Sequence, residues 1–512
     1  MTRPSVPARL ALPLALLAGV AQALAMASPL DAQPLPLLQV LSLAVLVGLV
    51  QRAPGWAQAL WAGWVFATAW LCTTFWWLFV SMHTYGGLAA PLAVLAVLAL
   101  AAFLGGYYAL VCGAFRALAL ANPAWGAIFF GALWLLAELA RGQWLTGFPW
   151  GAGGYAHGAG LLAPWVPWLG VYGTGLVASV VAASLVLAWL QRPAGRSARL
   201  AALGLALGLG TVPALLPTGW TVPTPPMAVA LLQGNIPQDE KFQSGSGVPL
   251  ALRWYAEQLR DSTATLVVAP ETAVPMLPQQ LPAGYWEALQ ARFVAGRQAA
   301  LVGVPLGSYK DGYTNSVVGM APGAPLYQYD KHHLVPFGEF IPPLFRWFTE
   351  LMNIPLGDFN RGAVGQASMA WQGQRLAPNI CYEDLFGEEL AARFADPAQA
   401  PTVFVNVSNI GWFGNTVAID QHLQISRLRA LEFERPMIRA TNTGPTVVIN
   451  HRGEVTHSLP RHTRGVLTGE VQGRTGMTPF AWWSSRYGLW PLWLGAGLVV
   501  LAAWAASGWR RR

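Results

Sequence analysis

Three residue types in the second half of this 512-residue chain stand where they could act on a carbonyl carbon. Cys381 ends an apolar run in PNICYEDLFGEE, just ahead of acidic residues and a helical stretch, so its thiol falls at a strand-to-helix turn, where nucleophiles are presented. Cys72 and Cys112 lie in apolar helical segments; Cys381 is thus the lone thiol of the polar half, which excludes a disulfide framework there. Taken alone, a single cysteine is more often a small buried hydrophobe.

Lysine usage sharpens the reading. The chain fills 28 of its 31 basic positions with arginine and keeps only Lys241, Lys310 and Lys331. Lys331, in YQYDKHHLVPFGEF, therefore reads as a position that needs a compact ammonium rather than a planar fork. Glu271 follows VVAP at a strand end, where a carboxylate is costly unless paired or working. Glu339 and Glu383 are further candidates, each more simply structural when judged singly.

Together these groups make a chemical unit. A free cysteine, with a pKa of about 8.5, is only a few per cent thiolate at neutral pH, so acyl transfer needs a base beside it. Glu271 can supply one. An ammonium near the reacting carbonyl stabilises the oxyanion, and losing one such donor costs about 100- to 1,000-fold. Lys331 fits that part, with Glu339 able to hold it.

The elements that must position them lie between about 220 and 488. Strands are predicted over 227–237, 265–275, 300–307, 376–384, 402–409 and 446–455, and helices around 248–260, 284–297, 386–395 and 418–434. Interleaved strands and helices argue an α/β domain with active groups at strand ends. TVPTPP (221–226) reads as a linker.

The first half has another composition. Residues 1–217 carry ten charged side chains, and seven apolar stretches (8–28, 34–51, 57–82, 88–115, 123–143, 165–190, 198–217) are long enough for membrane helices, with an eighth at 489–509. Ten arginines (Arg3, Arg9, Arg52, Arg116, Arg192, Arg196, Arg199, Arg510, Arg511, Arg512) fall at the termini or in alternate connections, while the opposite connections carry only Arg141. The positive-inside rule puts both termini in the cytoplasm and the polar block outside, in the periplasm of a Gram-negative cell. Arg3 and Arg9 before an apolar core and ALAMAS also fit a cleaved signal peptide, which would leave the outer block where it is. The other 21 basic residues face 23 acidic ones, so the net charge of +8 marks no nucleic-acid surface.

APETAVP, YDKHHLVPFGE and NICYED resemble the Glu-Lys-Cys signatures of the nitrilase superfamily. With the eight apolar stretches, TGFPW (146–150), LLQGNIPQ and NVSNIGWFG (406–414), the chain resembles the membrane-embedded apolipoprotein N-acyltransferases. The resemblance implies a polytopic α-helical membrane domain of eight transmembrane helices plus an α/β nitrilase-like α-β-β-α sandwich. Its divisions would be seven helices in 1–220, a periplasmic catalytic domain in 221–480, and the last helix with a basic cytoplasmic tail in 481–512. It implies Glu271 as general base, Lys331 as oxyanion group and Cys381 as nucleophile, with Glu339, Tyr382, Glu383 and Trp412 in support. Phe242 stands where the family often has tryptophan.

The implied reaction moves a fatty acyl chain from a phospholipid to the α-amine of a lipoprotein's diacylglyceryl-cysteine, through a thioester on Cys381. It needs no cofactor, and a monomer is expected. Extracting an acyl chain into water costs about 0.8 kcal/mol per CH₂, so the site must stay beside the bilayer. The apolar IPPLFRWFTELMNIPLGDF (341–359), with Trp347 and Phe348, is expected to dip into the outer leaflet, and Phe148 and Trp150 of TGFPW to face the site. His332, His333 and His422 show no metal-ligand spacing and read as solvated loop imidazoles. Glu138 and Arg141 read as an interfacial ion pair. A membrane-tethered amidase with water as acceptor is the rival enzyme, and a transporter or scaffold is the rival that catalyses nothing.

Overall fold

The structure, a computed structural model, describes residues 8–118, 120–191, 195–215, 217–343, 345, 347 and 358–509. It divides into two compact units. One comprises Met1–Trp76, Pro91–Thr218 and Tyr487–Arg512, the other Trp77–Ala90 and Gly219–Arg486.

The first unit is helical: α1 (Ala8–Leu24), α2 (Pro36–Arg52), α3 (Trp56–Thr74), α4 (Ala90–Leu118), α5 (Pro123–Gln143), α6 (Val166–Leu190), α7 (Gly195–Thr211) and a helix at Trp490–Trp509. Five stretches among the described residues are long and apolar enough to cross a membrane: Ala90–Leu118, Pro123–Thr146, Ala163–Leu190, Gly195–Leu215 and Trp490–Ser507. α1 and α2 are apolar but shorter. Small residues let these backbones meet, as apolar helices without a hydrophobic drive between them require. A Cβ on Gly19 would fall 2.1 Å from the Phe66 carbonyl oxygen, and one on Gly63 would fall 2.6 Å from the Cys112 sulfur.

The third apolar stretch breaks after Thr74 and resumes as a π-helix at Val80–Tyr85. Trp77 belongs to the second unit, where its indole donates to Gln421 Oε1 (3.0 Å) and its ring packs 4.3 Å from that of Phe413. Hydropathy cannot separate an aromatic that faces lipid from one that docks on protein. Glu138 and Arg141 are both buried inside the first unit. Arg141 donates to Tyr108 Oη and to the carbonyls of Phe148 and Trp150, while Glu138 accepts from the Gly153 amide. The two side chains tie the 148–153 segment to α5, because buried charges need partners.

The second unit holds two six-stranded sheets. The first runs β12-β1-β2-β3-β4-β5, from β1 (Thr221–Gln233), β2 (Leu266–Val268), β3 (Ala299–Ser308), β4 (Gly312–Met320), β5 (Tyr327–Asp330) and β12 (Gly465–Gly476). The second runs β11-β10-β9-β8-β7-β6, from β6 (Met369–Trp371), β7 (Gln374–Ile380), β8 (Val403–Ser408), β9 (Met437–Thr441), β10 (Thr446–Ile449) and β11 (Val455–Leu459). β1, β2 and β3 are mutually parallel, as are β7, β8 and β9.

Leu231, Val268 and Leu301 of the first sheet share one core with Ile380, Val405 and Ile438 of the second. On the first sheet's other face, Leu232, Val267 and Val302 pack against Tyr255 and Leu289 from the helices Gly247–Asp261 and Tyr285–Val294. On the second sheet's other face, Phe404 and Met437 pack against Phe433 of the helix Val417–Phe433 and Phe480 of Pro479–Tyr487. Strands buried on both faces need unbroken apolar runs, which is what made VVA and TVFVNV visible in the sequence. TVPTPP is not a linker but the opening of β1, paired with β12. The register shifts between Pro223 and Pro226, the irregularity that lets prolines enter a strand.

Candidate active site

Four strands end at one place. Glu271 lies just past β2, Lys331 directly after β5, Cys381 directly after β7 and Asn409 directly after β8. β3 passes tightly behind the Glu271 turn: a Cβ on Gly303 would fall 2.2 Å from the Pro270 carbonyl oxygen and 2.8 Å from Glu271 Cα. Cys381 occupies the left-handed region at φ +53°, unusual for a side chain with a Cβ, and opens the tight helical turn Cys381–Leu385. The strand hands over directly to this turn, and Cys381 remains partly accessible while its neighbours Ile380 and Tyr382 are buried.

Both carboxylate oxygens of Glu271 are engaged. Lys331 Nζ reaches Glu271 Oε1 at 3.3 Å and Glu339 Oε1 at 2.9 Å. Asn315, on β4, donates from the same amide nitrogen to Glu271 Oε1 (2.7 Å) and Glu339 Oε1 (2.8 Å). The Asn409 amide donates to Glu271 Oε2 at 2.8 Å, and Val335 N to Glu339 Oε2 at 2.8 Å. Burial alone would raise the Glu271 carboxyl; Lys331, Asn315 and Lys241 overcome it and hold the group below the ordinary carboxylate range. Desolvation alone would lower Lys331; Glu271 and Glu339 outweigh it and hold the ammonium above its ordinary range. Burial pushes the Cys381 thiol up to about 12, with Glu271 adding to the rise and Lys331 opposing it. The resting site is thus an ionised carboxylate, an ammonium and a protonated thiol.

Glu383 braces the two strand ends against each other. Its carboxylate accepts from Ile380 N (2.6 Å) beside Cys381, from His332 N (2.7 Å) and His333 N (3.2 Å) beside Lys331, and from Tyr329 Oη (2.7 Å). It is fully buried; desolvation opposes its charge, but His332 and these donors overcome it and lower the group to about 2. His332 also meets Glu389 Oε2 at 2.7 Å; burial would lower it, but its carboxylate partners win and raise it to about 9. Tyr382 is buried in an aromatic group with His333 and Phe386.

The imidazoles correct the sequence reading. His332, His333 and His422 are buried and engaged, not solvated: each pairs with a carboxylate, and His333 stacks on Phe386 at 3.5 Å. Trp412 meets Tyr85 edge-on at 6.0 Å. Phe242 and Trp347 are exposed. Phe348 lies outside the described residues, as do Leu344, Leu351, Met352 and Ile354. In the first unit, Trp150 is buried and Phe148 packs 5.1 Å from Phe75.

Three residues escaped the sequence reading. Asn315 and Asn409 hold the carboxylates, and Lys241, buried, donates to the Glu271 carbonyl at 3.0 Å and is lowered to about 7 by desolvation. An asparagine inside GYTNSVVGM, a strand otherwise apolar toward its end, was the available signal.

The N-terminal domain of apolipoprotein N-acyltransferases matches residues 18–184, and the carbon-nitrogen hydrolase domain matches 228–480. An apolipoprotein N-acyltransferase of Verminephrobacter eiseniae is 60% identical over 93% of this chain and 93% of its own length. The chain belongs to the apolipoprotein N-acyltransferase family. Members from Ralstonia nicotianae (45% identical, 98% of this chain and 94% of theirs) and Bordetella bronchiseptica (44%, 97% and 96%) match at similar coverage. In family terms the carbon-nitrogen hydrolase domain is the two-sheet unit that carries Glu271, Lys331 and Cys381, and the N-terminal domain falls on the apolar helices.

Proposed function

We propose that this chain transfers a fatty acyl group from a phospholipid to the α-amine of a diacylglyceryl-cysteine at a lipoprotein N-terminus, in two steps through a thioester on Cys381. In the first step Glu271 takes the thiol proton as the sulfur attacks the ester carbonyl. Lys331 stabilises the oxyanion, and the lysophospholipid leaves with the proton that Glu271 returns to its oxygen. In the second step the amine attacks the thioester, Glu271 accepts the amine proton, and Cys381 departs and is reprotonated. Glu339 and Asn315 hold Lys331 and Glu271, and Glu383 with Tyr382 supports the Cys381 turn.

The observation that carries this reading is the meeting of an ionised carboxylate, an ammonium and a left-handed, partly accessible cysteine in a chain whose other unit is built of apolar helices. Both substrates are lipid-anchored, so their acyl chains stay in the bilayer during transfer. We read the chain as eight membrane helices with an α-β-β-α sandwich on the periplasmic side of the inner membrane and both termini cytoplasmic, from the arginine distribution. Phe242, Trp347, Phe348 and the loop of Phe148 and Trp150 are proposed to guide lipid to the site. Intact-mass analysis after incubation with phospholipid micelles tests the reaction: one acyl mass should appear at Cys381 and be absent from Cys381→Ser. Release of free fatty acid without an amine acceptor, at the rate of transfer, would favour the amidase.

A further inference from the structure

Against the Cys381 carbonyl lies a buried charged group that the proposed steps do not use. Asp384, His422, Ser426 and Arg439 are each no more than 1% exposed. Asp384 sits in the turn that Cys381 opens, His422 and Ser426 on the helix Val417–Phe433, and Arg439 on β9. Their bonds fix the state of the imidazole. Arg439 Nη2, which can only donate, stands 3.1 Å from His422 Nδ1, so Nδ1 carries no proton and accepts. His422 Nε2 faces two acceptors, Asp384 Oδ1 at 2.9 Å and the Cys381 carbonyl oxygen at 3.2 Å, so it carries the proton. The result is a neutral Nε2–H imidazole between a guanidinium and a carboxylate. Arg439 also donates to the His422 carbonyl (2.9 Å), and both Arg439 and Asp384 bond the Ser426 hydroxyl.

The Cys381 carbonyl is the atom that must be captured to keep this residue in the left-handed region, since φ +53° turns its peptide away from the strand ladder. Two side chains capture it: Asn406 Nδ2 at 3.3 Å and His422 Nε2. A neutral donor alone would satisfy one carbonyl. Arg439 and Asp384 add orientation, by forcing the proton onto the nitrogen that faces Cys381. A buried opposite-charge pair is costly to desolvate, and one bridged by an imidazole is retained where it fixes a geometry.

We propose that His422, locked in its Nε2–H form by Arg439 and Asp384, is a positioning residue that holds the strained Cys381 turn in attacking geometry, an inference that rests on the acyl-transfer reading above. Asparagine and glutamine separate the two ring nitrogens. The shorter amide of His422→Asn stands near the place of Nδ1 and keeps only the Arg439 side, whereas the longer amide of His422→Gln stands near the place of Nε2 and keeps a donor toward Cys381.

The experiment compares His422→Asn and His422→Gln with the native chain in detergent, following acyl-enzyme formation from phospholipid and alkylation of Cys381 by iodoacetamide, both by mass. His422→Asn should acylate about 10- to 100-fold more slowly, the cost of a misplaced nucleophile, with an unchanged KM for phospholipid. His422→Gln should recover most of the rate. Alkylation should follow the same order, because it needs the same sulfur held in place. Equal rates in the two variants, or a faster His422→Asn, would overturn the proposal, as would a fall in both variants that tracks a lost thermal transition. Alkylation needs no lipid: if the native chain gains no acyl mass while the alkylation order holds, the acyl-transfer reading fails and the positioning role stands.

Discussion

Replacing Asn315 by leucine removes one amide nitrogen that serves two buried carboxylates at 2.7 and 2.8 Å, with little change in volume. A hydrogen bond to a charged group is worth about 1.5–3 kcal/mol. The two bonds share a donor, and Lys331 remains on both Oε1 atoms, so the losses do not add, and about 2–4 kcal/mol is the expected cost at neutral pH. The sign of its pH dependence is fixed. Asn315 supports the ionised form of Glu271 and helps hold its pKa below the ordinary value. A depressed carboxylate contributes stability above its unfolded pKa, about 4.3, and loses it as pH falls through the folded value. Asn315→Leu should therefore lower the unfolding midpoint in detergent more at pH 7 than near pH 4. Acyl-enzyme formation should fall about 10- to 100-fold, as Glu271 and Lys331 lose their common tether. An equal midpoint shift at both pH values would refute the assignment of Asn315 to the charged carboxylate. An unchanged acylation rate would refute its part in holding the base.

Glu383→Gln leaves one acceptor oxygen where four donors converge, two to an oxygen, and turns an amide N–H toward two of them, so it should destabilise by about 2–4 kcal/mol, read from the unfolding midpoint. His332, raised to about 9, contributes stability that is complete below its ordinary value near 6.5 and is lost as pH rises through 9. An alkaline fall in midpoint should appear in that window and flatten in His332→Asn. Gly303→Ala should push the Glu271 turn off its place and lower acylation, measured as initial rate, with β3 itself intact by circular dichroism. Alkylation of Cys381 by iodoacetamide should keep rising with pH beyond 9, because burial pushes its thiol up to about 12; a plateau below pH 8 would mean a preformed thiolate.

The parts of the fold legible in the sequence were those whose pattern follows from two-sided burial. β2, β3 and β8 are largely apolar runs, β7 ends in one, and the helix Val417–Phe433 was placed to within a residue or so. β4, β5, β9 and β12 were missed: they carry Asn315, Tyr329, Arg439 and alternating exposed residues, a mixture that reads as loop until the partners are known. The same cause hid half of the site. Glu271, Lys331 and Cys381 stand out because their types are costly or rare at strand ends. Asn315, Asn409 and His422 bear common side chains whose meaning lies in what folding sets opposite them. The helix break after Thr74 was hidden for another reason, since Trp77 is as apolar packed on protein as it would be facing lipid.

The charge distribution explains why the proposed site rests with a protonated sulfur. Glu271 and Glu339 already outnumber Lys331, so a standing thiolate would add a third negative group beside it, and burial raises its cost further. Such a thiolate, once stabilised, would also be a weaker nucleophile, because nucleophilicity falls with pKa. Holding the proton until attack moves the negative charge from sulfur to the carbonyl oxygen within one step, and Lys331 meets it there. The ammonium then interacts more strongly with the transition state than with the resting state, the condition for an interaction to accelerate a reaction. That arrangement works only if the sulfur does not drift while it is neutral and weakly bound. The left-handed turn at Cys381, pinned through its carbonyl and through Glu383, supplies the fixity that a thiolate would otherwise draw from charge.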